Sequence, residues 1–179
     1  MNKNFLIIPT ILFSLIILIF FYLLIMDRNP SEIPSALLNK KVPEFKTESL
    51  LKHEKFISPK EFKGQLTLVN FFATWCKPCL DEHLYINRFS SEEKIRIIGI
   101  NYKDNSKKTL VWLKKLGNPY SNIAIDKNGI IGIDWGVYGI PETFVVNADG
   151  IIKYRHVGPI TNKTYKKIKS IIYKINNEN

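Results

Sequence analysis

The sequence predicts an α/β domain with a mixed central sheet and helices on both faces, preceded by one N-terminal transmembrane helix. Three observations carry that expectation. The run from Phe5 to Met26 contains no charged residue, GQLTLVNFFATW reads as a strand buried on both faces, and apolar strand-like runs then alternate with stretches of helical period. With 179 residues, 45% of them hydrophobic, the chain has material for one core and an appendage, and too little for two full domains.

The appendage is the uncharged run. As a helix rising about 1.5 Å per residue it is roughly 33 Å long, enough for a hydrocarbon core of about 30 Å. Pro9 falls in its first turns, where a missing N–H costs least. A cleavable signal peptide has a shorter apolar region, about 7 to 15 residues, that ends at small residues. Here the longer run leads directly into Asp27-Arg28-Asn29-Pro30, which favours an uncleaved anchor. Lys3 precedes the span while Arg28, Lys40 and Lys41 follow it, so positive charge leans only slightly towards an amino terminus inside. Residues 1–26 are therefore expected as the anchor, 27–41, with Pro30 and Pro34, as a juxtamembrane linker, and 42–179 as the domain.

Within the domain, VPEFKTESL and EKFIS predict a short leading strand pair. The buried strand follows, then a helix in LDEHLYINRFS with Leu80, Leu84 and Ile86 to Phe89 at compatible spacing, then a second strand in KIRIIGINY. These three complete a βαβ unit with a right-handed crossover. SKKTLVWLKKLG is amphipathic, with Leu110, Leu113 and Leu116 on one side and Gly117 as its stop signal. SNIAID is a third strand. ETFVVNADGIIKYRHVG sets two apolar runs around Asn147-Ala148-Asp149-Gly150, a hairpin signal with Gly150 available for positive φ.

Lys and Arg number 26 against 16 Asp and Glu, a formal charge of +10. Concentrated, that charge would point to nucleic acid or lipid, but it is dispersed. Its densest run, YKKIKSIIYKIN, interleaves lysines with Ile168, Ile171, Ile172 and Ile175 at helical spacing. That is a solvated face of a C-terminal helix, and nucleic acid is not an expected partner.

Chemistry concentrates in FFATWCKPCLDEH, which holds the only two cysteines, Cys76 and Cys79. They stand where the buried strand gives way to a helix, so Cys76 falls at the first turn, where unpaired N–H groups and the helix dipole stabilise a thiolate. Pro78 suits a first turn, Lys77 adds a nearby positive charge, and Cys79 lies within disulfide reach but less exposed. Cys76 is then the nucleophile and Cys79 the residue that resolves a mixed disulfide. A c-type haem site needs His directly after the second cysteine, and that place is Leu80. Structural zinc needs four ligands, whereas Cys76, Cys79 and His83 make three unless His53 or His156 joins them. Two inert buried thiols remain the bland alternative. No metal or cofactor is expected. Glu82 and His83 follow Cys79 by three and four residues and share its helix face. A carboxylate there raises a thiol pKa and can relay a proton to or from Cys79. The alternatives are a solvated Glu82 and a packed or capping His83.

Together FFATWCKPC and the downstream GVYGIPETFVVNADGIIKYRHVG resemble the thioredoxin superfamily and, more narrowly, the membrane-anchored DsbE/CcmG thiol:disulfide interchange proteins of cytochrome c maturation. The likeness extends over NYKD at 101 to 104, WLKKLGNPY at 112 to 120 and YRHVG at 154 to 158. A peroxiredoxin, by contrast, would want Thr where Ala73 stands.

The DsbE/CcmG resemblance implies a thioredoxin-like fold, with Cys76 and Cys79 as a redox-active disulfide. It also implies a cis peptide at Pro141 facing that pair, and substrate binding along Trp75, Ile140, Pro141 and Thr143. It makes Glu142 a second acidic group beside the disulfide, with Glu82 the first. It further implies a single-pass protein of the bacterial inner membrane with its domain in the periplasm. Such a protein reduces the haem-site cysteines of apocytochrome c or an accessory thiol protein, and takes electrons from a membrane thiol reductant transporter. The Lys77-Pro78 dipeptide departs from the Pro-Thr of some relatives, which bears on the potential. The alternatives are a broader thioredoxin-like reductant or isomerase, and an apocytochrome-binding module with secondary redox activity.

Overall fold

The computed structural model describes residues 7–25, 36–52 and 54–177. The expected linker residues 27–35 and His53, weighed above as a metal ligand, lie outside the described residues. The chain divides into two units, one holding the first helix and the other everything from residue 36 onward. In the first, α1 (Ile7–Ile25) presents an 18-residue window of mean hydropathy 2.8, long and apolar enough to cross a membrane by length and composition.

The second unit begins with β1 (Thr47–Glu48) and β2 (Phe56–Ile57), the antiparallel leading pair, followed by a 3₁₀ turn at Pro59–Phe62. Then come β3 (Thr67–Phe72), α2 (Lys77–Ser91), β4 (Arg96–Tyr102), α3 (Ser106–Leu116), β5 (Asn122–Asp126), α4 (Ile130–Asp134), β6 (Glu142–Val146), β7 (Ile152–Val157) and α5 (Asn162–Asn177). The five-stranded sheet has the order β5-β4-β3-β6-β7. β3, β4 and β5 run parallel, while β6 is antiparallel to β3 and β7 to β6. β3, buried at every position, is therefore the centre of a mixed sheet.

Alternation along the strands divides the interior in two. Leu68 and Phe72 of β3, Ile97, Ile123 and Val145 face α2, α3 and α5 through Ile86, Phe89, Leu113, Tyr165, Ile168 and Ile172. Val69 and Phe71, Ile98, Ile100 and Phe144 face the other way. They pack there on Val42, Ile57, Phe62 of the 3₁₀ turn, and Ile131 and Trp135 of the α4 region. Gly150 takes φ +79° in the β6–β7 turn, as the hairpin pattern requires.

Away from the cysteine site, the sequence reading differs from this structure at four places. Residues 36–41, assigned to the linker, are tied to the domain. Asn39 N–H donates to the Ile152 carbonyl, Ile152 N–H to that of Lys40, and Leu37 and Leu38 pack on the second core. Leu80 and Leu84 are 41% and 63% exposed, because α2 turns Cys79, Glu82, His83, Ile86 and Phe89 inward. Leu110 is likewise exposed, and α3 buries Thr109 and Leu113 instead. The five-residue α4 and the 3₁₀ turn are unforeseen, since neither is long enough to display a helical period.

Gly99 shapes the first core. A Cβ there would stand 2.8 Å from Phe72 Cε1 and 3.0 Å from Tyr120 Cδ1, and these two rings stack with centroids 4.6 Å apart. Rings wedged in a core cannot move aside as a flexible chain end can, so Gly99→Ala is expected to cost about 1–3 kcal/mol by overpacking. Urea denaturation of the two proteins checks it; an unchanged midpoint would mean that the stack has room to spare.

Candidate active site

β3 ends in Ala73-Thr74-Trp75, and Cys76 caps α2 in extended conformation at φ −88° and ψ 107°. Its sulfur accepts the Cys79 N–H at 3.2 Å, so one orphan donor of the first turn is aimed at the nucleophile candidate. Pro78, in that turn, removes an N–H that would have lacked a partner. Cys76 and Cys79 form a disulfide with Cα atoms 5.3 Å apart, and are 5% and 2% exposed. The Lys77 ammonium, expected near the thiolate, reaches Asp81 at 2.7 Å on the exposed side of the helix.

The loop before Cys76 is clamped by the β4–α3 connection. Asp104 accepts the Thr74 N–H at 2.6 Å and its hydroxyl at 2.9 Å, and the Trp75 indole N–H donates to the Lys103 carbonyl at 3.1 Å. Burial pushes the Asp104 carboxyl up, but hydrogen bonds from Thr74, Asn105 and Asn101 outweigh it and leave it below the usual range. NYKD entered the sequence reading only as part of a resemblance; here it supports the cysteine loop.

Beneath the disulfide lies a polar network that centres on Asn70 of β3. Its amide nitrogen donates to Glu82 Oε1 at 2.8 Å and to Thr143 Oγ1 at 3.1 Å, and its oxygen accepts the Tyr120 hydroxyl at 2.8 Å. Glu82 Oε2 accepts the Ile160 N–H at 2.9 Å. Glu82 is 1% exposed, and burial pushes its carboxyl up to about 8 against the pull of the Ile160 and Asn70 bonds. The same burial, with the nearby Glu82 charge, holds the Tyr120 phenol well above its usual range. Glu82 thus shares the buried face of α2 with Cys79, as its spacing suggested, and it is not solvated. Asn70 and Tyr120 were missed: an Asn inside an apolar strand was the only signal, and Tyr120 sits in a loop.

His83 packs against Trp112 and pairs through Nε2 with the Gly117 carbonyl at 2.9 Å; burial, partly opposed by that bond, lowers its pKa. It is a helix-stop partner. His156, opposite Thr143 on β7, is lowered mainly by burial and pairs with the Pro159 carbonyl at 3.4 Å.

Across from Cys76, the Ile140–Pro141 peptide is cis and the Ile140 carbonyl oxygen stands 3.7 Å from Cys76 Sγ. Trp75 and Tyr138, in the two loops that meet here, are exposed, whereas Pro141 is buried. Two expected site residues go elsewhere. Glu142 does not join Glu82: it is the neighbour of Phe144 on the opposite sheet face, fully buried, with Oε2 2.7 Å from Arg155 Nε. Thr143, expected to meet substrate, is itself buried within the Asn70 network.

This chain, with its sheet order, its cysteine pair at a strand-to-helix junction and the cis proline opposite it, is similar to known proteins. Residues 37–172 match the Redoxin family. Among solved structures, a secreted thiol-disulfide isomerase from Corynebacterium glutamicum superposes with a TM-score of 0.64 at 18% identity, covering 73% of this chain and 84% of that one. A DsbF homologue from Corynebacterium diphtheriae gives 0.63 at 20% identity, covering 81% and 94%. The fold is thioredoxin-like, and the chain is a thiol:disulfide oxidoreductase. Its sequence relatives narrow the class. Thiol:disulfide interchange protein DsbE of Vibrio cholerae is 41% identical over 176 residues, 97% of this chain and 95% of that one. DsbE of Escherichia coli K12 is 40% identical over 171 residues, covering 93% and 92%. Thiol:disulfide interchange protein CycY of Rhizobium leguminosarum is 46% identical over 140 residues, covering 78% and 75%. The chain belongs to the DsbE/CcmG family of the thioredoxin superfamily.

The Glu82 environment has a measurable signature. An unfolded Glu82 ionises near 4.5 and the folded one near 8, so between these values the folded chain holds one proton more. The stability Glu82 contributes is complete below about 4.5 and is lost as pH rises through about 8, at up to about 1.4 kcal/mol per pH unit. His83 and His156, lowered by burial, act in the opposite sense as pH falls below about 6.5, so the comparison with Glu82→Gln isolates the carboxyl. Denaturation midpoints of the oxidised proteins, measured across that window, are expected to fall with pH more steeply in the wild type than in Glu82→Gln. Parallel curves would remove the raised carboxyl.

Proposed function

We propose that this chain is a membrane-anchored, periplasm-facing reductant that serves cytochrome c maturation. In this reading residues 1–26 anchor it in the inner membrane as a single span, and the thioredoxin-like domain, from residue 36 onward, carries the reaction. The apolar α1 and the DsbE and CycY names of its relatives support the location and the pathway. The observation that carries the chemistry is Cys76 Sγ at the first turn of α2, accepting the Cys79 N–H, with the buried Glu82 on the same helix face.

In the reduced protein the Cys76 thiolate attacks a substrate disulfide, forming a mixed disulfide and releasing one substrate thiolate. The Cys79 thiolate then attacks Cys76 Sγ, the mixed disulfide breaks, and the second substrate thiolate leaves. Two electrons pass from the dithiol to the substrate, and the Cys76–Cys79 disulfide remains. Cys79 must lose its proton for the second step. Glu82, with a pKa pushed up to about 8 and on the same helix face, is the group to accept that proton. Both its oxygens already receive an N–H, so the side chain is oriented whatever its protonation state. The substrate lies along Trp75 and the Ile140–Pro141 backbone. It is the haem-site disulfide of apocytochrome c or that of an accessory thiol protein. A membrane thiol reductant transporter restores the dithiol.

The test is stoichiometric. The full chain with both cysteines reduced is expected to reduce a peptide carrying a C-x-x-C-H disulfide mole for mole, and Cys76→Ser to be inactive. Titration of the pair is expected near or below the thioredoxin value of about −270 mV; a potential near −120 mV would make the chain an oxidant. Equal activity on insulin and on the peptide would favour a reductant of broad range.

A further inference from the structure

Glu142 and Arg155 are buried on the sheet face that points away from the Asn70 network, yet both reach the loop that meets Cys76. We propose that this ion pair is a positioning device: it holds residues 136–141 in the shape that receives a substrate's backbone beside the disulfide. The proposal rests on the thiol-exchange reading above and gives Glu142 a role other than an acid at the sulfurs.

The geometry assigns each bond of the pair to a loop position. Arg155 Nε donates to Glu142 Oε2 at 2.7 Å, and its Nη2 donates to the Gly136 carbonyl at 2.9 Å. Glu142 Oε1 accepts the Tyr138 N–H at 3.3 Å. The guanidinium lies over the Tyr138 ring, 5.0 Å from its centroid. At the far end of the loop, the Gly158 N–H donates to the Pro141 carbonyl at 3.0 Å. The segment is therefore gripped at 136, 138 and 141, and what it carries between and beside those points is exposed Tyr138 and the Ile140 carbonyl, 3.7 Å from Cys76 Sγ.

Packing alone does not call for such a pair. Removing two charges from water costs several kcal/mol per ion, and apolar side chains of similar volume usually fill the same space at no loss of stability. What the ions add is direction. A guanidinium serves Glu142 and Gly136 at once from a rigid planar fork, a fixed geometry that an ammonium on a flexible stem lacks. The carboxylate accepts from the guanidinium with one oxygen and from the loop with the other. Loop shape is thus coupled to β7, an edge strand that lies beyond β6 from the cysteine-bearing end of β3.

The test compares substrates that need the loop with one that does not. The full chain and its Arg155→Lys variant would be assayed on a C-x-x-C-H peptide disulfide, on insulin and on hydroxyethyl disulfide, which is too small to lie along the backbone. Loss of one charge-assisted hydrogen bond is expected to raise KM for peptide and insulin about tenfold relative to KM for hydroxyethyl disulfide. The Cys76–Cys79 potential should stay at the wild-type value. A Glu142→Gln/Arg155→Met double variant leaves no buried charge unpaired, so it should fold and show the same split. Equal KM shifts on all three substrates, or wild-type KM on insulin in either folded variant, would overturn the proposal. Should the wild type reduce insulin and not the peptide, the cytochrome reading fails, while the insulin ratio still decides the role of the pair.

Discussion

Asn70 sits in the middle of β3 with no solvent exposure, between Val69 and Phe71, and an amide left unpaired there costs about 1–3 kcal/mol. Both of its amide hydrogens and one acceptor position are filled, by Glu82, Thr143 and Tyr120. These partners come from α2, from β6 and from the loop before β5, so satisfying one side chain fixes three elements around the cysteine pair. The Tyr120 hydroxyl reaches Asn70 because its ring lies flat on Phe72, and the ring lies flat because Gly99 carries no side chain. Glu82 is drawn fully inside by the same amide and by the Ile160 N–H. Its raised pKa follows from that burial.

This dependence also explains which parts of the molecule were legible in the sequence. Patterns that rest on continuous burial or on turn chemistry read correctly. GQLTLVNFFATW is the central strand, Asn147 to Gly150 is the hairpin turn, and Ile168, Ile172 and Ile175 are the inner face of α5. The cysteine pair reads correctly because it needs only a strand, a helix start and two intervening residues. The inner face of α2 reads in part: Glu82 and His83 share the face of Cys79, as their spacing predicts, but the partners that bury them, Asn70 and Gly117, do not show in the helix itself. A polar residue that is buried because distant residues satisfy it looks, in one dimension, like a solvated one. Asn70, in a strand read as buried, and Tyr120, in a loop, were not read as site residues because the bonds that join them to the site span 12 to 73 positions along the chain.

The misplacement of Glu142 has a simpler cause, and it shows how the site is divided. Glu142 and Thr143 are adjacent in PETF, and a strand sends adjacent side chains to opposite faces. Thr143 therefore joins Asn70 beneath the disulfide, and Glu142 joins Arg155 on the far side. The resemblance supplied two acids near one disulfide; strand geometry allows only one of them to share its core. The other must act, if at all, through backbone, and the backbone it bonds is the run that ends at Ile140 and Pro141. Cys76 is thus approached from two sides by different means. One face of the sheet delivers a buried carboxyl, and the other bonds, through Glu142 and Arg155, the loop that carries the Ile140 carbonyl.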